Sequence, residues 1–239
     1  MRHLELVMGI PMSVDIRDAV DEHVERAAVR DAFDGMHDAD RRFSRHRPDS
    51  EVSRYDGGAT SGDLREVLGI AAHFGRLSGG AFSVRRPDGS LDTDGVVKGW
   101  AAQRAADSLL AAGLTRFCLN AGGDVVVRGG PEAGRGWNVG VRDPDDPQSF
   151  LTVLELRDGA VATSGTYERG EHVWDGRDGS TATGLRSATV VAADLTTADV
   201  LATCVLALGP GGAEWASRHG AAAVLAVDAD GELSTTVHA

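Results

Sequence analysis

Short runs of alternating apolar residues are interrupted at irregular intervals by helical patterns, and this order limits the fold more than any other sequence feature. Alternation with a period of two predicts strands, whereas apolar residues three and four apart predict amphipathic helices. Helices are predicted at residues 20–43, 64–78, 100–112 and 198–208, and strands at 4–8, 12–16, 116–120, 124–128, 137–141, 150–156, 160–164, 187–193 and 222–227. Because strands and helices do not alternate regularly, the sequence predicts an α+β fold of mixed β-sheets with flanking helices.

The continuity of the pattern bears on domain organisation. Apolar residues make up 42% of the 239 residues, which is enough to build a buried core. The chain shows no composition break long enough for a flexible linker and no repeat of fixed period. Residues 1–239 are therefore predicted to form a single domain.

The net charge of the chain indicates which kinds of partner it can bind. With 24 basic and 36 acidic residues the net charge is −12, and no cluster of Lys and Arg is present that could neutralise a nucleic-acid backbone. We therefore expect no nucleic-acid partner. An anionic small molecule remains compatible, because backbone N–H groups and a bound cation act at short range.

The apolar segments and the cysteines indicate the cellular compartment of the protein. No stretch stands out as long enough to span a membrane, and the first residues show a strand pattern instead of a leader. Cys118 and Cys204 lie in apolar runs without metal-ligand spacing, so buried free thiols are expected. The sequence predicts a cytoplasmic protein without a membrane anchor.

Residues 92–100 bring acidic groups, glycines and Lys98 to the predicted start of a helix. Helix N-termini bind phosphate through their free N–H groups, and a lysine adds a point charge. The glycine spacing matches neither the P-loop nor the dinucleotide fingerprint. On spacing alone, an ordinary turn with a solvated lysine is the stronger interpretation.

Asp199 and Thr203 lie four residues apart in a predicted helix, so their side chains leave the same face. A carboxylate and a hydroxyl are oxygen ligands that suit magnesium. Helix capping by Asp199 and a back-bond from Thr203 explain the same pattern. Without further information, capping is the favoured interpretation.

Two other glycine-rich segments hold polar residues. Residues 120–124 place paired glycines between two predicted strands, which suits a flat ligand or a plain bulge equally. Ser164 lacks the strand-turn-helix context of a hydrolase nucleophile, which argues against a Ser triad. His172 lies in a glycine-rich loop, where it is either exposed or, near a metal-bound phosphate, an acid or base.

Taken in order, these segments resemble the FAD:protein FMN transferases, also called ApbE-type flavin transferases, over nearly the whole chain. The matching stretches are residues 8–9, 43–54, 79–82, 92–100, 120–124, 161–165, 172 and 198–203. The resemblance implies an ApbE-like, T-fold-like single domain. It also implies magnesium-dependent transfer of the FMN half of FAD to a Thr or Ser hydroxyl of a target flavoprotein, with release of AMP.

The resemblance also assigns site residues. It implies magnesium on the Asp199 carboxylate, the Thr203 hydroxyl and the main-chain oxygen of Gly95, so that the metal interpretation displaces capping. His172 falls on a histidine that the family uses near the reacting phosphate. The implied FAD-binding residues are Met8, His46, Ala81, Phe82, Ser83, Asp92 and Lys98.

Several positions depart from the family pattern. Ser83 replaces a usual carboxylate, His46 a usual aromatic ring, and Gln103 a common acidic residue. Gly176 and Asp178 stand in a loop where the family has Asp-Pro-x-Thr-Gly. These changes bear on transfer activity and flavin affinity more than on fold or metal site. Two alternatives follow, an FAD pyrophosphatase that gives FMN and AMP, and an FAD-binding protein with weakened catalysis.

Overall fold

The computed structural model describes residues 1–86, 88–166 and 173–238. Eight strands form one sheet in the order β1-β2-β3-β4-β7-β8-β9-β10, and β5 and β6 form a separate hairpin. All strand neighbours in these sheets are antiparallel. The strands are β1 Arg2–Val7, β2 Ile10–Ile16, β3 Phe117–Ala121, β4 Asp124–Arg128, β5 Trp137–Arg142, β6 Phe150–Leu156, β7 Gly159–Gly165, β8 Leu185–Ala192, β9 Ala223–Asp228 and β10 Leu233–Val237.

The helices confirm the predicted positions of the long amphipathic patterns. The helices are α1 Glu22–Phe43, α2 Gly62–Leu77, α3 Asp94–Ala111, α4 Leu195–Leu208 and the short α5 Gly212–Ser217. Asp21 and Ser61 begin α1 and α2 by accepting backbone N–H groups from His23 and Leu64, which satisfies donors that a helix leaves free. The α+β class is confirmed, and α5 is a helix that the sequence patterns missed.

The predicted start of α3 was wrong. The helix begins at Asp94, six residues before the predicted residue 100, so Gly95 and Lys98 lie within its first two turns. Glycine disfavours helix interiors, but a Cβ at Gly99 would stand 2.7 Å from the Asp199 Cβ and 2.8 Å from the Leu195 carbonyl oxygen. The close approach of α4 therefore explains this glycine, which sequence propensity treats as a helix breaker.

Helix α4 is the most apolar helix and is packed against α3, β7 and β8. Within the described residues, the stretch Leu195–Ser217 is long and apolar enough to cross a membrane, which the sequence interpretation overlooked. However, 67% of the apolar 18-residue window within that stretch is buried inside the fold. A core helix meets the same length and composition criteria.

Two apolar cores lie on opposite faces of the sheet. The larger lies between the sheet and the helices and draws on residues from Val7 to Ala226. The smaller packs Trp137 and Val139 of the hairpin against Val125, Val127 and Val161 of the sheet. Cys204 is fully buried and Cys118 is partly buried, and both are free thiols as predicted. The single-domain organisation stays a prediction.

Candidate active site

Two cavities meet at the amino end of α3. The first has a volume of about 730 Å³ and is lined by α3, α4, β7 and the loop after α2. The second has a volume of about 520 Å³ and is lined by α1, α3 and the turn between β1 and β2. Both are lined by Ile10, Arg45, Asp94 and Lys98. The two cavities together therefore form one elongated site.

The first cavity contains the three residues implied as magnesium ligands. Gly95, Asp199 and Thr203 all line it, the first on α3 and the other two on α4. A Cβ at Gly95 would lie 3.8 Å from the Thr203 methyl carbon, so the two helices are close here. The carboxylate, the hydroxyl and a main-chain carbonyl form a hard, all-oxygen donor set.

The hydrogen bonds of Asp199 test whether a cation suits this donor set. Asp199 is 2% exposed, and its Oδ2 accepts the Gly99 N–H at 2.9 Å. In a regular α-helix that N–H bonds the Gly95 carbonyl. A carbonyl oxygen has two lone pairs, so the Gly95 oxygen keeps acceptor capacity for a further partner beside any intrahelical bond. The residues fit a small cation.

Burial raises the pKa of Asp199 by disfavouring its charged form. A cation at this position would offset that penalty. Its neighbour Thr203 donates to the Asp199 carbonyl oxygen at 3.2 Å and lies 3.2 Å from the Ser164 hydroxyl. The back-bond expected for Thr203 is thus present. The predicted cap by Asp199 is not, because Asp194 caps α4 by accepting the Thr197 N–H.

Lys98 lies between two buried carboxylates. Its ammonium is 3.3 Å from Asp199 Oδ1 and in direct contact with Asp124 Oδ2. These two carboxylates raise the pKa of Lys98 against the opposing effect of burial. The Lys98 side chain therefore stays positively charged at the junction of the two cavities. The predicted solvated turn at Lys98 is wrong.

Asp92 is paired with two arginines that the sequence analysis did not select. Its Oδ2 is 3.0 Å from Arg86 Nη1 and 3.3 Å from Arg45 Nε, and the carboxylate is 7% exposed. The Arg86 guanidinium also stands over the Trp174 ring, 5.4 Å from its centroid. Arginine patterns in the sequence gave no signal for the Arg45 contact, since it joins residues from separate loops.

The departures at Ser83 and Gly176 contact one another. A Cβ at Gly176 would stand 2.6 Å from the Ser83 Cβ, and the Gly176 N–H donates to the Ala81 carbonyl at 2.8 Å. A proline could not make that hydrogen bond. Ala81 and Phe82 are buried in this wall, and Ser83 is half-buried. A Cβ at Gly176 would also stand 2.4 Å from the Gly80 carbonyl oxygen, so the wall leaves no room for a side chain there.

Met8 and His46 line the second cavity. Met8 adopts φ 53°, and its N–H donates to Asp40 Oδ2 at 3.2 Å, which fixes the turn between β1 and β2. His46 is exposed, and its backbone N–H donates to the Ser44 hydroxyl at 3.3 Å. The structure thus brings Met8 and His46 to the opposite end of the site from Phe82.

Gln103, another departure, is a packing residue and does not line either cavity. Its side-chain oxygen accepts the Leu195 N–H at 2.8 Å, and its amide donates to Asp107 at 2.8 Å. An amide supplies both the acceptor and the donor, which a carboxylate cannot. His172, the predicted acid or base, lies outside the described residues.

Comparison with known proteins shows the family of the chain. The model of the ApbE family matches residues 8–86 and 83–225. The FAD:protein FMN transferase of Klebsiella pneumoniae (strain 342) is 30% identical over 156 residues, covering 61% of this chain and 45% of the relative. The FAD:protein FMN transferase of Rhodobacter capsulatus is 32% identical over 172 residues, covering 67% of this chain and 32% of the relative. The chain thus spans less than half the length of these curated relatives.

Solved structures share the fold. The flavin transferase ApbE of Vibrio cholerae superposes with a TM-score of 0.84 at 21% identity, over 99% of this chain and 96% of the other. The ApbE protein of Thermotoga maritima superposes with a TM-score of 0.85 at 21% identity, over 99% of this chain and 96% of the other. The predicted ApbE-like fold is confirmed. Since the family model matches most of its length, the chain belongs to the ApbE family.

Proposed function

We propose that this chain transfers the FMN moiety of FAD to a Thr or Ser hydroxyl of a target flavoprotein and releases AMP, in a magnesium-dependent reaction. One observation carries the proposal: ten of the eleven implied site residues line two joined cavities. The names of the curated relatives supply the reaction class. A dinucleotide has two ring systems joined by a diphosphate, and this shape matches two cavities that meet at Lys98.

The residues at the junction suit a diphosphate. Magnesium held by Asp199, Thr203 and the Gly95 carbonyl would supply charge neutralisation at the phosphate oxygens. Lys98 would bind a phosphate oxygen as a point charge. Arg45, which lines both cavities, adds a second cation beside it. Together these side chains would orient the phosphorus that is attacked.

The proposed transfer balances as a phosphoryl substitution. The acceptor hydroxyl oxygen forms a bond to the phosphorus of the FMN half, and the phosphoanhydride bond to AMP breaks. The hydroxyl proton passes to a base, which we assign to His172, and AMP leaves with the bridging oxygen. The scheme needs no oxidant or reductant.

Part of this proposal concerns the cell. We place the reaction in the cytoplasm, as the sequence predicts. Fractionation of cells that express the natural chain tests this placement. Recovery in the membrane fraction after a high-salt wash would contradict it.

The deciding experiment follows AMP and covalently bound flavin together. The purified chain is incubated with FAD and Mg²⁺, with and without a flavoprotein acceptor, and AMP is measured by chromatography while the acceptor mass is measured by mass spectrometry. We expect AMP and a flavinylated acceptor in equal amounts. AMP with free FMN would indicate an FAD pyrophosphatase. Bound FAD without AMP would indicate a binding protein with weakened catalysis.

A further inference from the structure

Asp124 is a buried carboxylate that the proposed reaction does not use. It begins β4, is 2% exposed, and does not line either cavity. Its Oδ1 accepts the Thr163 N–H at 2.9 Å, and its Oδ2 contacts the Lys98 ammonium. A buried charge is retained at a cost unless its partners compensate it. Asp124 therefore contacts the site through its ion pair with Lys98, which lines both cavities.

Asp124 and Asp199 are held in the same way. Each has one oxygen fixed by a backbone N–H, from Thr163 for Asp124 and from Gly99 for Asp199. Each turns its other oxygen toward Lys98. The two carboxylates are thus rigid, while the four-carbon stem of the lysine is the adjustable part. The ammonium lies closer to Asp124 than to Asp199.

This asymmetry matters because Asp199 Oδ1 is the carboxylate oxygen that the Gly99 N–H leaves free. A lysine that paired fully with Asp199 would compete with a cation for that oxygen. Opposite charges at contact distance in a buried site attract strongly, so the ammonium needs a second anion to hold it back. Asp124 is that anion.

We propose that Asp124 is a positioning residue for Lys98. This inference rests on the magnesium site of the proposed function. Asp124 holds the Lys98 ammonium on its own Oδ2, so that Asp199 Oδ1 stays available to the metal and Lys98 stays available to phosphate. Without Asp124, the ammonium closes on Asp199 and competes with the metal. The effect of Asp124 on metal binding thus requires Lys98.

A double-mutant cycle tests this requirement. The variants are Asp124→Asn, Lys98→Met and the double variant, with Lys98→Gln in reserve if the methionine variant does not fold. Asn keeps an oxygen for the Thr163 N–H. Mn²⁺ serves as the probe because it takes the same oxygen ligands as magnesium, and free Mn²⁺ is followed by electron paramagnetic resonance. FAD and acceptor are absent, so a failure of transfer cannot mimic a failure of this inference.

We expect Asp124→Asn to raise the half-saturating Mn²⁺ concentration about tenfold in the presence of Lys98, and less than about twofold in its absence. Asp94→Asn is the matched control, since it removes a charge from the same cavities without an ion pair to Lys98 among the described residues. Its shift should be equal in both backgrounds. If Asp124→Asn shifted the half-saturating Mn²⁺ concentration equally with and without Lys98, the residue would act only through its charge and the proposal would be overturned. A wild-type chain that binds no Mn²⁺ would also overturn it.

Discussion

The two sides of the first cavity are built differently. We call Gly95, Lys98, Gly99, Asp199 and Thr203 the helix floor, and residues 81–83 with 175–180 the loop wall. The floor is formed where α3 and α4 pack together, and its carboxylate is fixed by backbone N–H groups. The wall is held by a few loop hydrogen bonds such as that from the Gly176 N–H to Ala81.

The family pattern is kept throughout the floor but only in part on the wall, where Ala81 and Phe82 match it. Every floor residue matches the motif, whereas Ser83, Gly176 and Asp178 depart from it. A close-packed contact between helices tolerates little change in volume. Loops are more tolerant of sequence change than close-packed helix contacts, and the departures lie in loops. The difference indicates where variation in substrate handling can arise without loss of the metal site.

The largest effect is expected from Asp199→Asn on the floor. Loss of this carboxylate removes a proposed ligand to the cation that stabilises charge in the transition state, and such losses commonly cost about 100-fold or more in rate. AMP release under saturating FAD measures it. Asp34→Asn, an exposed change on α1, is the control and should leave the rate unchanged. A rate for Asp199→Asn within twofold of wild type would contradict the metal assignment.

The next effect is on stability, from Gly99→Ala. The added Cβ would stand 2.7 Å from the Asp199 Cβ, so α3 and α4 must separate, at a cost of about 1–3 kcal/mol in the free energy of unfolding. Gly35→Ala in α1 has no heavy atom within 4 Å and should instead gain about 0.5–1 kcal/mol. Urea unfolding measures both changes. The same sign for both variants would show that the helices are not in close contact here.

On the wall, Gly176→Pro should cost about 1–3 kcal/mol although it restores the proline of the family. The change removes the hydrogen bond to the Ala81 carbonyl and brings a Cβ to within 2.6 Å of the Ser83 Cβ. Gly211→Ala, with open space around its Cβ, serves as the control in the same urea experiment. A Gly176→Pro variant as stable as wild type would show that the wall does not depend on this contact.

The smallest effect is a pH-dependent one from Arg177→Gln on the wall. The Arg177 guanidinium hydrogen-bonds the Asp175 carboxylate and lowers its pKa. A carboxyl whose pKa is lowered by folding contributes stability above its unfolded pKa and loses it as the pH falls through the folded pKa. We therefore expect a small drop in melting temperature at neutral pH that disappears in acid. A drop that grows toward low pH would contradict this pairing.

Sequence patterns predicted most of the fold because its elements follow local rules. The strand at residues 150–156 was predicted with its observed bounds, since a short run of mostly apolar residues is bounded by polar residues on both sides. The start of α3 was missed because Gly95 and Gly99 disfavour a helix locally, and the close contact with α4 that requires Gly99 is not visible in the sequence. Tertiary contact outweighed propensity at that position.

The site was predictable where residues of one motif act together. The spacing of Asp199 and Thr203 placed both on one helix face, and the structure brings Gly95 beside them. The pairing of Asp92 with Arg45 was not predictable, because it joins two loops whose approach depends on the whole fold. Likewise, the close approach of Gly176 to the Gly80 and Ala81 carbonyls is visible only once both loops are placed.

The amides that hold the two buried carboxylates give the site a built-in reporter. The N–H groups of Gly99 and Thr163 donate to side-chain oxygens at 2.9 Å. Their exchange with deuterated solvent therefore depends on whether those side chains stay in place. Ligation of the cavity should slow the exchange of Gly99 and Thr163 relative to other amides of α3 and β7. Isotope exchange can thus follow occupancy of the site without any chromophore or turnover.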